Sequence, residues 1–93
     1  MKDEVFKALA DPVRRKILEM LGSRDMTAGD IASKFDISAP SVSRHLSVLK
    51  ASGLITDKRS GQRIIYSLNA IAVRELIKWM YRHFGNVWIN LPQ

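Results

Sequence analysis

The hydrophobic period of the chain changes at Gly53, and that change limits the folds open to it. Before it, Val42, Leu46 and Leu49 recur at i, i+4 and i+7, which on a helix turning about 100° per residue puts all three on one side. That side is expected to be core. After Gly53, which closes the helix, Leu54-Ile55-Thr56 opens a strand and Ser60-Gly61-Gln62 makes a turn. Ile64, Tyr66 and Leu68 then alternate on one face of the returning strand. The stretch Ser38 to Leu68 therefore reads as a helix followed directly by a tight two-stranded hairpin.

The residues before Ser38 supply three further helices. The first runs from about Lys2 to Ala10 with Val5, Phe6 and Leu9 on one face. Asp11-Pro12 is an N-cap followed by a proline at the first helical position, where the missing N–H would lack an intrahelical partner anyway. The second helix continues to about Leu21, burying Val13, Ile17, Leu18 and Leu21, and Gly22 is expected to end it in the left-handed conformation. Thr27 has the spacing of a cap for a short third helix, Ala28 to Phe35, with Ile31, Ala32 and Phe35 inward. After the break Asp36-Ile37-Ser38, Ser38 caps the fourth helix. Two short helices joined by a tight turn form a helix-turn-helix, and a hairpin after it is a wing. A last helix, about Asn69 to Gly85, carries Val73, Leu76, Ile77, Met80, Tyr81 and Phe84 as a broad apolar face, with Asn86 to Gln93 left open. The fold expected is mainly α with a small β-hairpin: a winged helix-turn-helix of five helices and a two-stranded wing, residues 1–93 forming one domain.

Composition narrows the class. At 93 residues the chain is near the size at which a monomer has difficulty burying enough apolar surface. A second copy would help, and the apolar face of the last helix, with Val5, Phe6 and Leu9 of the first, is the candidate seam. A formal net charge of +6 favours a polyanionic partner, either nucleic acid or an anionic membrane surface. There is no cysteine, which excludes disulfides and thiolate metal sites. The N-terminal MKDEVFKALADP lacks the order of a signal peptide, and no apolar run approaches the roughly 20 residues of a membrane span. A cytoplasmic protein, not embedded in a membrane, is expected.

The fourth helix carries the chemistry. Pro40, Ser43, Arg44 and Ser47 project opposite the apolar side, with Ser41 and Lys50 at its margins. Such a surface can enter the major groove of double-stranded DNA, where Arg forks onto guanine O6 and N7 and Ser pairs with either kind of edge. The bland alternative is an ordinary amphipathic surface helix. Lys58, Arg59 and Arg63 flank the hairpin turn and suit phosphate contact or reach into the minor groove, against the alternative of a solvated charged turn. Arg14, Arg15 and Lys16 sit where cations oppose the helix dipole, and read as a solvated face. His45, on the flank of the helix, is either a packed histidine bonded to backbone or a DNA contact. His83 and Glu75 are the only candidates for a ligand site on the last helix. No phosphate loop, no nucleophile with a matching base and no paired carboxylates in a metal-binding register are present, so neither catalysis nor a cofactor is expected.

Three blocks of the chain, FKALADPVRRKILEML, MTAGDIASKFDISAPSVSRHLSVLKASGLI and GQRIIYSLN, together resemble the ArsR/SmtB family of winged helix-turn-helix repressors, and within it the SdpR-like branch. The resemblance covers roughly Val5 to Trp79. It implies a homodimer assembled through the first and last helices, reading a near-palindromic operator and repressing transcription, its own promoter included. By position it implies Ser38, Ser41, Ser43, Arg44 and His45 in the recognition helix and Arg59, Gln62 and Arg63 on the wing. Metal-sensing members carry a cysteine pair in the third helix, which MTAGDIASKF lacks, so no metal is expected. An inducer has no residue signature here. A protein-interaction module, using the same scaffold and its aromatic tail (Trp79, Tyr81, Phe84, Trp88) to bind a partner protein or a membrane-associated receptor, is the alternative.

Overall fold

A computed structural model describes residues 1–92; Gln93, the last position of the C-terminal segment, lies outside the described residues. These residues form, in chain order, α1 (Asp3–Leu9), α2 (Pro12–Ser23), β1 (Met26–Thr27), α3 (Ala28–Ala32), α4 (Ala39–Ala51), β2 (Ile55–Ser60), β3 (Arg63–Leu68) and α5 (Ala70–Asn90). Side-chain oxygens mark most of the helix starts. Asp11 accepts from Val13 N and Arg14 N at the head of α2, Thr27 from Asp30 N at α3, Ser38 from Ser41 N at α4, and Asn69 from Ala72 N at α5. Each satisfies a backbone donor that the first turn of a helix leaves without a partner.

The sheet is antiparallel with order β1-β3-β2, so the expected two-stranded wing gains a third, two-residue strand. Met26 pairs with Tyr66 and Thr27 with Ile65, while β2 and β3 pair from Ile55↔Leu68 to Ser60↔Arg63. Met26-Thr27 is too short to show alternation, which is why periodicity passes over it. Because directly paired residues share a face, Met26, Ile55 and Leu68 lie on the side of the sheet that carries Asp57, Tyr66, Arg59 and Ile64. Met26 and Ile55 are buried there, which roots the hairpin in the core.

That core joins Ala8 of α1, Ile17 and Leu21 of α2, Ile31 of α3, and Val42, Leu46 and Leu49 of α4 to Met26, Leu54, Ile55 and Leu76. The predicted inward stripe of α4 is thus buried throughout, each residue 2% exposed or less. Two residues assigned to an intersubunit seam belong instead to this core: Val5 is 6% and Leu76 8% exposed. Leu9 and Val73 pack against the same core. The four are the positions of the seam whose side chains already have partners in the core of the protomer.

Two glycines divide by conformation. Gly53 has φ +84°, the left-handed turn that the sequence assigns to it, and Gly61 has φ +64° at the hairpin tip. Gly22, expected to end α2 in the same way, lies inside the helix without positive φ; α2 runs on to Ser23 and leaves through extended Arg24. The last helix likewise outruns its expected end at Gly85, reaching Asn90. Gly22→Ala is therefore expected to stabilise the protein by roughly 0.5–1 kcal/mol, because the helix gains alanine's propensity and the new methyl meets only Leu68 Cδ1 at 3.8 Å. Gly53→Ala, with open space around it but a left-handed backbone, is expected to cost about 1–2 kcal/mol. Denaturant midpoints of the two variants should move in opposite directions; movement in the same direction would refute the assignment.

Candidate DNA interface

On the side of α4 opposite its buried stripe, Pro40, Ser43, Arg44 and Ser47 are exposed. Ser41 is half-buried, and the exposed Ser38 donates its hydroxyl to Ser41 Oγ at 2.9 Å. The polarity of this surface follows from the helix phase, because these positions face away from the core. Arg44 is exposed and engages no carboxylate among the described residues. It stands as a single fork-shaped donor on a nearly flat surface.

Lys50 differs from the other expected contacts. Its ammonium lies 2.9 Å from Asp57 Oδ2, and this bond raises the lysine above its ordinary value. The pair spans from the last turn of α4 to β2, so Lys50 braces the wing against the helix. Asp57 was not singled out in the sequence, because its partner is seven residues away across a turn and outside any helical register. A second brace lies in the turn between the two elements. Ser52, buried at 6% exposure, donates its hydroxyl to Leu49 O at 2.6 Å and accepts from Leu54 N at 3.2 Å.

The wing presents cations on both faces. Arg59, paired with Ile64, leaves on the face that carries Asp57 and the core residues; Lys58 and Arg63, through their pairing with Ile65 and Ser60, leave on the other. All three are exposed, as is Gln62 in the turn. Exposed cations on both sides of a narrow hairpin can meet phosphates on either wall of a groove.

Of the cations at the start of α2, Arg15 and Lys16 are exposed, as a solvated face requires, whereas Arg14 is half-buried, and both arginines bond to the end of α1. Arg14 Nε donates to Ala8 O and Nη2 to Lys7 O, both at 2.9 Å, and Arg15 Nη1 donates to Leu9 O at 2.8 Å. They close the C-terminal end of α1, where the Lys7 carbonyl also accepts the N–H of Ala10. The third terminal nitrogen of Arg14, Nη1, lies 3.2 Å from His45 Nδ1, and Asp11 Oδ1 lies 3.8 Å from the same ring nitrogen. The unfavourable placement of cations near the head of α2 was the only signal in the sequence that these side chains had other work.

At the far end of the molecule, Phe6 meets Trp79 edge-on at 5.3 Å, and Trp79 also contacts His83 at 4.9 Å and Phe84 at 5.7 Å. His83 is thus part of an aromatic group joining α1 to α5, while Glu75 faces Lys78 at 3.9 Å. The two do not come together, and among the described residues no three histidines or carboxylates cluster as metal ligands. Among the described residues no helix is long and apolar enough to cross a membrane.

A capped α3, a short turn, an α4 with one face free, and a rooted basic hairpin define a winged helix-turn-helix protein. A helix-turn-helix domain family matches residues 9–57. The transcriptional repressor SdpR of Bacillus subtilis is 55% identical over 84% of this chain and 87% of its own length. The HTH-type transcriptional regulator Rv2034 of Mycobacterium tuberculosis is 38% identical over 80% of this chain and 69% of its own. The solved structure of an ArsR-like transcriptional regulator from Rhodococcus sp. RHA1 superposes with a TM-score of 0.78 at 30% identity, covering 92% of this chain and 80% of that one. The chain belongs to the ArsR/SmtB family of winged helix-turn-helix transcriptional regulators, beside SdpR.

Asp11 connects the electrostatics of this region to stability. Burial draws its carboxyl upward, but the backbone N–H groups of Arg14 and Val13, and then the neighbouring His45 and Arg14, outweigh that and hold it below the ordinary value of 3.8. A carboxyl lowered by folding contributes stability that is complete above its unfolded pKa and lost as pH falls through the folded one. Asp11→Asn keeps an N-cap acceptor and removes the charge. Its melting temperature is expected to fall less steeply than the parent's below about pH 4. Parallel melting curves for the two proteins across the acid range would contradict this.

Proposed function

We propose that the chain acts in the cytoplasm as a homodimeric transcriptional repressor that binds a near-palindromic operator, its own promoter included, by recognition and not by catalysis. Residues 1–93 make up one domain in this reading. The carrying observation is α4: three apolar residues anchor it in the core while Ser43, Arg44 and Ser47 stand exposed beside a basic hairpin. Arg44 and the serines read base edges in the major groove. Lys58, Arg59 and Arg63 hold phosphates, with Gln62 at the tip, and Lys50 sets the angle between wing and helix. The kinship with a named repressor supports the direction of regulation.

The dimer rests on α5. Ile77, Tyr81, Phe84 and Trp88 are 54–64% exposed, and with Met80 and Gly85 they line a groove of about 370 Å³. An apolar face this continuous is uncommon on a monomer. With Val5 and Leu76 assigned to the core, the proposed seam consists of Phe6, Ile77, Met80, Tyr81 and Phe84, with half-buried Leu9 and Val73 at its inner edge, and is extended by Trp88.

Selection of bound sites from a random DNA pool tests the reading directly: the enriched sequence should have two related half-sites about one helical turn, ~10–10.5 base pairs, apart. Against that site, Arg44→Ala is expected to cost about 1–3 kcal/mol and to relax the preference at one base pair per half-site. Arg63→Ala should weaken operator and random DNA alike and reduce the slope of log affinity against log salt by about one. Absence of an enriched site at physiological salt, or equal losses on operator and random DNA for Arg44→Ala, would overturn the proposal.

A further inference from the structure

Arg14 forms a polar link between the end of α1 and α4. Its guanidinium is held on one side by the carbonyls of Lys7 and Ala8 at the end of α1, and on the other reaches His45 Nδ1 on α4 at 3.2 Å. Guanidinium has only donors. The ring nitrogen facing it must therefore accept, which puts the imidazole hydrogen on Nε2. Nε2 has no hydrogen-bond partner among the described residues, and no half-buried or buried polar side-chain atom is both shut from solvent and unpartnered. Nε2–H is consequently an open donor on the flank of α4, next in sequence to Arg44.

We propose that Arg14 is a positioning residue for operator binding: it fixes the His45 ring, through Nδ1, in the tautomer whose Nε2–H donates to a DNA phosphate oxygen. The proposal rests on the repressor reading given above and adds a residue that does not itself touch DNA. The physical case is the geometry of the acceptor and donor on one ring. A neutral imidazole left alone exchanges between two tautomers and turns about its side-chain bonds, and only one arrangement aims a hydrogen outward. Arg14 removes that freedom because its own position is set by two backbone carbonyls. Asp11 Oδ1, 3.8 Å from Nδ1, is outside hydrogen-bond distance and leaves the guanidinium as the bonded partner. A contact from the flank of a recognition helix to phosphate fixes its register on the duplex, on which base reading by Arg44 depends.

The arrangement has a further consequence for assembly. The carbonyls that hold Arg14 end the helix that carries Phe6, and Phe6 packs on Trp79 of α5. The His45 ring is thereby referenced to the helices of the proposed seam as well as to its own helix.

Imidazole nitrogen chemical shifts of the wild-type protein, read by long-range proton–nitrogen correlation, test the tautomer without any substitution: His45 should carry its proton on Nε2 with Nδ1 bare. Operator affinity supplies the functional arm, measured well below each variant's melting temperature. Arg14→Met is expected to weaken operator binding about tenfold, the effect of about one good hydrogen bond. His45→Asn keeps an acceptor near the position of Nδ1 and removes the Nε2 donor. In that background Arg14→Met should cost less than about twofold, because the donor it positions is gone. A purely structural role in closing α1 would give the same loss in both backgrounds and would overturn the proposal, as would a wild-type proton on Nδ1. A wild type that enriches no DNA site removes the repressor reading and this proposal with it; a wild type that selects its operator but fails either arm removes this proposal alone.

Discussion

The turn between α4 and β2 is the constraint on which the interface depends. Leu49 before it and Leu54 and Ile55 after it are each 1% exposed or less, so both strands of the turn are anchored in the same core. Between these anchors, Gly53 takes the left-handed conformation and Ser52 bonds to backbone on both sides. A buried hydroxyl with both its donor and acceptor roles satisfied is costly to disturb. The end of α4 and the root of the wing are thereby joined through a buried, hydrogen-bonded turn, and the Lys50–Asp57 bond spans the same junction from outside. Simultaneous contact by a helix in a groove and a hairpin on the adjacent backbone requires that angle to be settled before DNA arrives.

Much of this was legible because local rules and burial agree along α4. Ser38 as a cap, Val42, Leu46 and Leu49 by their period, and Gly53 as a stop point to the same helix by three different criteria, and consistency of that kind is what makes an element readable. Gly22 shows where one criterion misleads: glycine at the end of a periodic run looks like a stop, yet the backbone continues for another residue because nothing there requires positive φ. β1 was invisible for the opposite reason, since its two residues exist as a strand only through pairing with Tyr66 and Ile65. The Asp11, Arg14 and His45 group was likewise hidden, because His45 stands 31 residues from the arginine it meets. Periodicity ranks residues within an element and says nothing of which polar side chains meet across elements.

The C-terminal helix presents a different balance. At 21 residues it is about 31 Å long, a large part of the 48 Å extent of the molecule. Only Leu76 and Gly85 along it are buried, Gly85 beside the ring of Tyr81, which a Cβ at that position would meet at 3.4 Å. Its N-terminal part is therefore held by the protomer, whereas the part beyond Trp79 has the composition of a core without the neighbours of one. The division explains how one unbroken apolar face serves two environments: Leu76 is buried in the protomer with half-buried Val73 beside it, while Ile77, Met80, Tyr81 and Phe84 are exposed. The same division places the proposed seam away from α4, leaving both recognition surfaces free.

Charge is distributed with equal economy. The formal net charge of +6 already counts Lys50 against its partner Asp57, and Arg14 and Arg15 keep their charges while the carbonyls of α1 hold part of their guanidinium donors. Arg44, Lys58, Arg59 and Arg63 are exposed and have no ion pair among the described residues. They lie on the two elements that the Ser52–Gly53 turn holds together, so the attraction is focused where the shape is also set. An exposed cation on a floating loop could attract phosphate equally well, but without relation to the helix proposed to read bases. Fastening the wing to α4 converts nonspecific attraction into register, which is the step a small domain needs before a single guanidinium can discriminate one base pair from another.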